Sequence, residues 1–312
     1  METKNNSFFA KPLVVACFAL LCCALWGSAT PFIKMGYELV LPVKDTASTI
    51  LFAGIRFLLA GFITVAIYSV ARRKVLIPKR ENVGRIALVS LFQTVLQYIF
   101  FYVGLANTSG VKGTVLSGST AFFALLISTL ILKQEKLTVK KIIACILGFS
   151  GIIIVNLKGL DFNMNFFGDA FVLFSSAASA ASAALMKRFS DREDPVVISG
   201  YQFMAGGAVM IGIGLAFGGM VRVDSIAGVG VIIYLASLSA VAYALWGILL
   251  KHNPVSKVTV YSFMIPVFGV LLSELILTED SNVSYLNLII TLVLVCAGII
   301  LINYRKEKPS KI

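Results

Sequence analysis

The stretch Leu13–Ile33 reads LVVACFALLCCALWGSATPFI and carries no charged side chain over 21 residues. A helix of about 20 apolar residues is long enough to cross the hydrocarbon core of a bilayer. The stretch is also longer than the apolar part of most signal peptides. The sequence therefore predicts that it is a first membrane-spanning helix.

Nine more apolar segments of similar length follow this stretch. Open strands would leave backbone groups unpaired in lipid, and barrel strands alternate in polarity, which these segments do not. The sequence predicts an all-α integral membrane protein with ten transmembrane helices, at about 13–33, 48–70, 85–105, 113–132, 140–157, 166–186, 196–217, 228–250, 255–277 and 284–304.

The composition of the 312 residues excludes several classes of protein. Hydrophobic residues make up 58%, charged residues make up 13%, and the mean hydropathy is +0.92. Soluble domains carry about 25% charged residues, so a soluble enzyme, a disordered chain and a secreted disulfide scaffold are excluded. The five cysteines lie in apolar segments and the one histidine, His252, lies in a polar connection. We therefore expect no disulfide framework, no metal site and no cofactor.

The net charge of +12 has an uneven distribution along the chain. With the N-terminus inside, the cytoplasmic segments carry 21 Lys and Arg residues, and the external segments carry five, which are Lys34, Lys44, Lys112, Lys158 and Arg222. Excess positive charge marks cytoplasmic loops. The sequence predicts a multi-pass protein of the cytoplasmic membrane with both termini in the cytoplasm, and it indicates no binding of nucleic acid.

The two halves of the chain resemble each other at a nearly constant offset. Gly54-Ile55-Arg56-Phe57 matches Gly200-Tyr201-Gln202-Phe203 at an offset of 146, and Tyr98 matches Tyr243 at an offset of 145. Gly151–Asn156 matches Gly298–Asn303 at 147. Since each half has five helices, the second half must enter the membrane in the opposite orientation. The sequence predicts two inverted five-helix repeats, residues 13–157 and 166–304, an architecture typical of secondary transporters.

Several motifs, in order along the whole chain, resemble those of a known family. The chain is similar to ten-helix EamA-type permeases of the drug/metabolite transporter superfamily in Ala24-Leu25-Trp26-Gly27-Ser28, Ile55-Arg56-Phe57-Leu58-Leu59, Tyr102-Val103-Gly104-Leu105, Glu135, Pro266-Val267-Phe268 and Leu277-Thr278-Glu279. The resemblance implies a permease that moves a small metabolite, often an amino acid and frequently outward. It also implies a central cavity lined by the first, third, fourth, sixth, eighth and ninth spans.

Polar and aromatic side chains inside the spans are the candidate substrate-binding residues, because polar groups are costly in the membrane. They are Trp26, Arg56, Gln93, Gln97, Tyr98, Ser117, Tyr201, Gln202, Tyr243 and Tyr261. Trp246 lies near the predicted inner boundary and is interpreted as an interfacial belt residue.

Two charged side chains within spans leave alternatives open. Arg56 either pairs with a substrate carboxylate or clamps backbone carbonyls and aromatic faces at the outer gate. Glu274 either reaches the outer interface or couples transport to a proton.

Other functions compete with transport of a small-molecule substrate through the lipid bilayer. The spans lack the histidine, the paired aspartates or the metal ligands of an intramembrane enzyme, and no nucleotide-binding loop indicates the use of ATP. A proton or a counter-substrate remains as the coupling partner. A membrane receptor, an assembly factor, or an importer or exchanger of another solute stays open as an alternative.

Overall fold

The computed structural model describes residues 8–157, 165–277 and 285–303, and this part of the chain contains helices and loops but no strand. Nine of its helices are long and apolar enough to cross a membrane, and Val139–Val155, with 17 residues, is slightly shorter. In chain order the helices are α1 Pro12–Val40, α2 Thr46–Ala71, α3 Arg80–Ala106, α4 Gly110–Ile131, α5 Val139–Val155, α6 Phe166–Phe189, α7 Pro195–Ala216, α8 Ile226–His252, α9 Val255–Ile276 and α10 Leu286–Asn303.

Local sequence signals set several helix ends. The Asp45 carboxylate accepts a 2.7 Å hydrogen bond from the Ser48 backbone N–H and caps the start of α2. At the start of α7, Asp194 caps the helix and Pro195 occupies its first turn, where a missing N–H costs nothing. Gly218, with φ of 78°, ends α7 in the left-handed conformation that glycine adopts readily.

The first helix is longer than the apolar stretch predicts. It continues seven residues beyond Ile33 to Val40, because Lys34 and Glu38 end the apolar run without ending the helix. Trp26 therefore stands at the midpoint of α1, about 21 Å from either end of the helix. The predictions for Lys158, Thr278 and Glu279 fall outside the described residues.

Helices α2 and α7 pack against each other most closely, through glycines. A Cβ on Gly61 would lie 2.6 Å from the carbonyl oxygen of Gly200, and one on Gly207 would lie 2.8 Å from that of Gly54. The two contacts are related by the offset of 146 found in the sequence. Small residues let helix backbones approach closely in a membrane, so these glycines bring α2 and α7 together at the centre of the bundle.

The same reciprocity holds between α5 and α10. A Cβ on Gly151 would lie 3.2 Å from the Thr291 carbonyl oxygen, and one on Gly298 would lie 2.7 Å from that of Ala144. Helix α1 packs on α8 and α9, while α3 packs on α6. The inner faces of α1, α2, α3, α7 and α8 thus meet around one central region.

Three helices depart from regular α geometry near the middle of the bundle. Helix α3 contains a π-helical turn at Leu91–Leu96, and α9 contains a 3₁₀ turn at Val260–Phe263. Helix α4 is interrupted between Ser117 and Thr120. Such interruptions free backbone groups and often occur at functional sites.

Candidate functional site

Two tyrosines from opposite halves of the chain meet at the centre. The hydroxyl oxygens of Tyr98 on α3 and Tyr243 on α8 lie 2.9 Å apart, within hydrogen-bond distance. Tyr98 is eight residues from the end of α3 and Tyr243 is nine from the end of α8, so each ring lies about 12–14 Å from a helix terminus. The pair therefore lies deep in the bundle.

Aromatic rings surround this pair. Phe57 stacks on Phe203 with ring centroids 5.1 Å apart and an interplanar angle of 4°. Phe57 also lies 4.4 Å from Tyr98, and Phe203 lies 4.8 Å from Tyr243. These four rings, together with two tryptophans, form what we call the central aromatic cluster: Trp26, Phe57, Tyr98, Phe203, Tyr243 and Trp246.

The two tryptophans extend the cluster towards α1. The Trp26 ring lies 5.0 Å from Tyr243 and 4.9 Å from Trp246, edge-on in both cases. Trp246 is 8% exposed, so its interpretation as an interfacial belt residue is wrong. The indole N–H of Trp26 is buried without a hydrogen-bond partner. The cluster thus presents an unused donor beside flat apolar surfaces.

Arg56 borders the cluster from α2. Its guanidinium lies 4.5 Å from the centre of the Phe57 ring, in cation–π geometry. The side chains of Tyr37, Tyr98 and Tyr243 are among its neighbours. The residue is 4% exposed and its Nε has no hydrogen-bond partner. The structure therefore buries a cation whose hydrogen bonds are incompletely used.

Two glutamines flank the tyrosine pair. Gln97 lies one residue before Tyr98, and its side-chain carbonyl oxygen is buried without a partner. Gln202 is fully buried, and its Oε1 accepts a 2.6 Å hydrogen bond from Thr94 while its backbone oxygen accepts a 2.8 Å bond from Ser90. Gln202 thus ties α7 to α3.

The other predicted residues lie elsewhere or lack a contact with the cluster. Tyr201 donates a 2.9 Å hydrogen bond to the Leu76 carbonyl oxygen in the α2–α3 connection, so its hydroxyl group serves a loop. Tyr261 is buried in the 3₁₀ turn of α9. All of the candidate residues stay predictions. Among them, Gln93 is buried in the π turn of α3, Ser117 is half-buried at the interruption of α4, and Glu274 is half-buried near the end of α9.

Comparison with known proteins identifies the family. The profile of the EamA-like transporter family matches residues 13–157 and again residues 166–304. The chain belongs to this family. It is similar to the uncharacterized transporter sll0355 of Synechocystis, with 27% identity over 98% of this chain and 94% of that protein. It is also similar to the uncharacterized transporter YvbV of Bacillus subtilis, with 23% identity over 92% and 90% of the two chains.

The fold of this EamA-like transporter is also found among solved structures. One crystal structure superposes with a TM-score of 0.76 over 92% of this chain and 96% of the other, at 17% identity. The family and its relatives make the chain a multi-pass membrane transporter, an EamA-type permease of the drug/metabolite transporter superfamily. Members of such a family are transporters and are generally not enzymes.

Sequence reasoning missed two tyrosines of the EamA-like transporter near Arg56. Tyr37 lies beyond the predicted end of the first span, and Tyr102 entered only as part of a family motif. Tyr102 is buried with its ring centroid 6.0 Å from that of Tyr98. A longer first helix would have placed Tyr37 among the candidates.

Two carboxylates join helices of the transporter at their ends. Asp169, at the start of α6, is fully buried, forms a 2.6 Å ion pair with Lys112 on α4 and accepts a 2.8 Å hydrogen bond from Thr108. Glu135, after α4, forms a 2.6 Å ion pair with Lys141 on α5. Each carboxylate therefore holds the first turn of a neighbouring helix.

Glu135 also reaches the start of α9. Its carboxylate accepts hydrogen bonds from the Ser256 backbone N–H at 2.9 Å and from the Ser256 and Ser128 hydroxyl groups at 2.6 and 2.7 Å. Burial by itself would raise the pKa of Glu135, but the bonds from Lys141, Ser256 and Ser128 outweigh it and hold the pKa below its usual value. Glu135 is thus ionised at neutral pH. Within the described ranges, no group of His, Cys, Asp and Glu side chains is arranged to hold a metal ion.

Proposed function

We propose that the protein is a secondary transporter that moves a small metabolite, with amino acids and related compounds as the leading class, across the cytoplasmic membrane. The direction is outward and the mechanism is alternating access. The observation that carries this proposal is the meeting of Tyr98 and Tyr243, matched residues of the two halves, in a buried aromatic cluster with unused hydrogen-bond donors.

The proposed architecture is ten spans in two inverted repeats, residues 13–157 and 166–304. It is supported by contacts that the offset of 146 relates. Phe57 stacks on its counterpart Phe203, and the contact of Gly61 with Gly200 has its counterpart in the contact of Gly207 with Gly54. Inverted repeats place the substrate site near the midplane, where the halves meet. Helix α5 is proposed as a span although it has 17 residues, because it pairs with α10.

The interruptions of α4 and α9 support the same placement. The break at residues 118–119 and the 3₁₀ turn at Val260–Phe263 fall at corresponding positions of the two halves, given the offset of 145. Interrupted helices in corresponding positions indicate the binding site of secondary transporters. We therefore place Ser117 and Tyr261 at its edge and the central aromatic cluster, Arg56 and Gln97 at its centre.

Alternating access requires each end of the bundle to open in turn. Glu135 links the end of α4 to the start of α9, and Asp169 links the start of α6 to Lys112 at the start of α4. With both termini in the cytoplasm, the Glu135 contacts lie at the cytoplasmic end and the Asp169 contacts lie at the external end. Glu274 is the proposed proton-coupling residue, and antiport of a second solute is the other form of coupling.

Flux measurements test the proposal. Right-side-out and inverted vesicles containing the full chain should accumulate at least one radiolabelled solute from a broad panel of amino acids and related metabolites, at rates above empty vesicles. Trp26→Ala should abolish that flux, because it removes the ring that contacts both Tyr243 and Trp246.

The matched control is Phe62→Ala, which removes an aromatic ring that is 52% exposed on the surface of α2. Flux in this variant should equal that of the wild type. Binding of a solute without its movement across the membrane would indicate a receptor rather than a transporter. The absence of flux for every solute would refute the proposal.

A further inference from the structure

Arg56 carries a positive charge inside the bundle and forms no ion pair with the described residues. It lies ten residues into α2, about 15 Å from the start of that helix. The ion pairs of the described residues join other cations to carboxylates, and none includes Arg56. An ionised side chain inside a membrane is costly and marks a functional site by default.

Around Arg56, more hydrogen-bond donors than acceptors are buried without a partner. The hydroxyl groups of Tyr98 and Tyr243 share one hydrogen bond, in which either oxygen can be the donor. The Nε–H of Arg56 and the indole N–H of Trp26 are buried without acceptors. Unpartnered N–H groups beside a cation suit a ligand group that accepts hydrogen bonds and carries negative charge.

The second half carries a neutral side chain, Gln202, at the position that corresponds to Arg56. Gln202 binds Thr94 through its side-chain oxygen. Its Nε2 is also buried without a hydrogen-bond partner, but the side chain carries no charge that needs an anion. Arg56 makes no side-chain hydrogen bond to the described part of the chain, and its contact with the Phe57 ring supplies no anion for the guanidinium.

We propose that a carboxylate of the transported solute binds the guanidinium of Arg56 beside the Tyr98–Tyr243 pair, while the rest of the solute packs against the central aromatic cluster. The planar guanidinium matches a carboxylate through two parallel hydrogen bonds. This inference rests on the proposed function and narrows its substrate class to carboxylates. The buried, unpartnered Oε1 of Gln97 provides an acceptor for an amino group on the same solute.

The test compares acids with their amides on the purified full chain in detergent. The probes are L-phenylalanine, L-leucine and L-threonine, each paired with its carboxamide, and 3-phenylpropionate, which has a carboxylate but no amino group. Binding is read from the shift of the thermal unfolding midpoint with probe concentration. We expect at least one acid to bind at least ~10-fold more tightly than its amide.

Arg56→Lys keeps the charge but loses the paired hydrogen bonds, so affinity for the acid should fall ~10-fold or more while affinity for the amide is unchanged. Arg222→Lys is the matched control, since Arg222 is exposed and pairs with Asp224 at 2.7 Å. The acid–amide comparison uses the wild-type protein, so it decides the matter even if Arg56→Lys does not fold.

The outcomes separate the two proposals. Tighter binding of L-phenylalanine than of 3-phenylpropionate assigns the carboxylate to an amino acid, and the reverse order assigns it to a simple carboxylic acid; both support the site. Equal affinity for acids and amides, no binding of any acid, or unchanged acid affinity in folded Arg56→Lys overturns it. Acid binding without flux in vesicles would refute transport and leave the carboxylate site standing.

Discussion

The hydroxyl groups of Tyr98 and Tyr243 lie 2.9 Å apart, and the two residues are separated by 145 positions in the chain. The matching segments of the two halves are separated by 145 to 147 positions. One tyrosine comes from α3 and the other from α8, so a movement of one half against the other changes this contact directly. We therefore expect substitutions of this pair to affect both stability and the proposed transport.

We expect a double-mutant cycle to detect this hydrogen bond. Tyr98→Phe and Tyr243→Phe should each lower stability by about 0.6–1.5 kcal/mol, because each leaves a buried hydroxyl group without its partner. The double variant should lose less than the sum, as measured by unfolding in mixed detergent. The control cycle is Tyr98→Phe with Tyr201→Phe, whose hydroxyl binds Leu76 instead; these effects should add. Additivity in both cycles would contradict the contact.

The contact between α2 and α7 predicts a sharp difference between two glycines of α7. In Gly207→Ala the new Cβ would lie 2.5 Å from the Leu58 backbone nitrogen and 2.8 Å from the Gly54 oxygen, so the helices must separate. Overpacking of this kind costs about 1–3 kcal/mol. Gly212→Ala has no atom within 4 Å of the new Cβ and gains up to ~1 kcal/mol of helix propensity.

Thermal unfolding of the two glycine variants in the same detergent measures this difference. The midpoint should fall for Gly207→Ala and stay level or rise for Gly212→Ala. Equal midpoints would mean that the two helices do not approach as closely as the structure indicates.

Glu135→Gln should destabilise the protein in a pH-dependent way. The side chains of Glu135 and Lys141 are 7% and 15% exposed, and removal of one partner from a buried ion pair costs ~3–5 kcal/mol. Because the pKa of Glu135 is lowered on folding, its contribution is complete above the usual value of 4.5 and is lost as pH falls through the folded value. The gap in midpoint between wild type and variant should therefore be widest at neutral pH and close on acidification.

The control for Glu135 is Glu38→Gln, which breaks an ion pair with Lys44 whose side chains are 70% and 53% exposed. Such exposed pairs contribute about 0–1 kcal/mol, so the midpoint at neutral pH should change little. A gap for Glu135→Gln that widens on acidification would contradict the ion pair.

Cysteine labelling tests the proposed orientation. Arg73→Cys lies in the connection between α2 and α3, and Arg222→Cys lies between α7 and α8; both positions are exposed. In a chain whose native cysteines have been replaced, a membrane-impermeant maleimide added to intact cells should label position 222 alone. Labelling of position 73 without lysis would contradict the proposed orientation and indicate the opposite one.

The existence and type of the helices follow from the sequence, because runs of apolar residues in a chain of such hydropathy have no stable alternative to helices in lipid. The matching segments of the two halves were also visible, since aromatic and glycine positions recur at a nearly constant offset. These patterns led to the family and to three of the six members of the central aromatic cluster, Trp26, Tyr98 and Tyr243.

Tertiary structure alone decided the depth, rotation and partners of these side chains. Hydropathy ended the first span at Ile33, yet α1 continues to Val40 and places Trp26 at its midpoint and Tyr37 near Arg56. The sequence predicted that Trp246 lies at the membrane interface, whereas the structure buries it against Trp26. The apolar pattern reflects the free energy of transferring side chains from water to lipid. This free energy is nearly equal for positions that face lipid and for positions that face another helix. Only the packing of helices across the two halves determines which polar groups find partners, and among the described residues it gives Arg56 no ion pair.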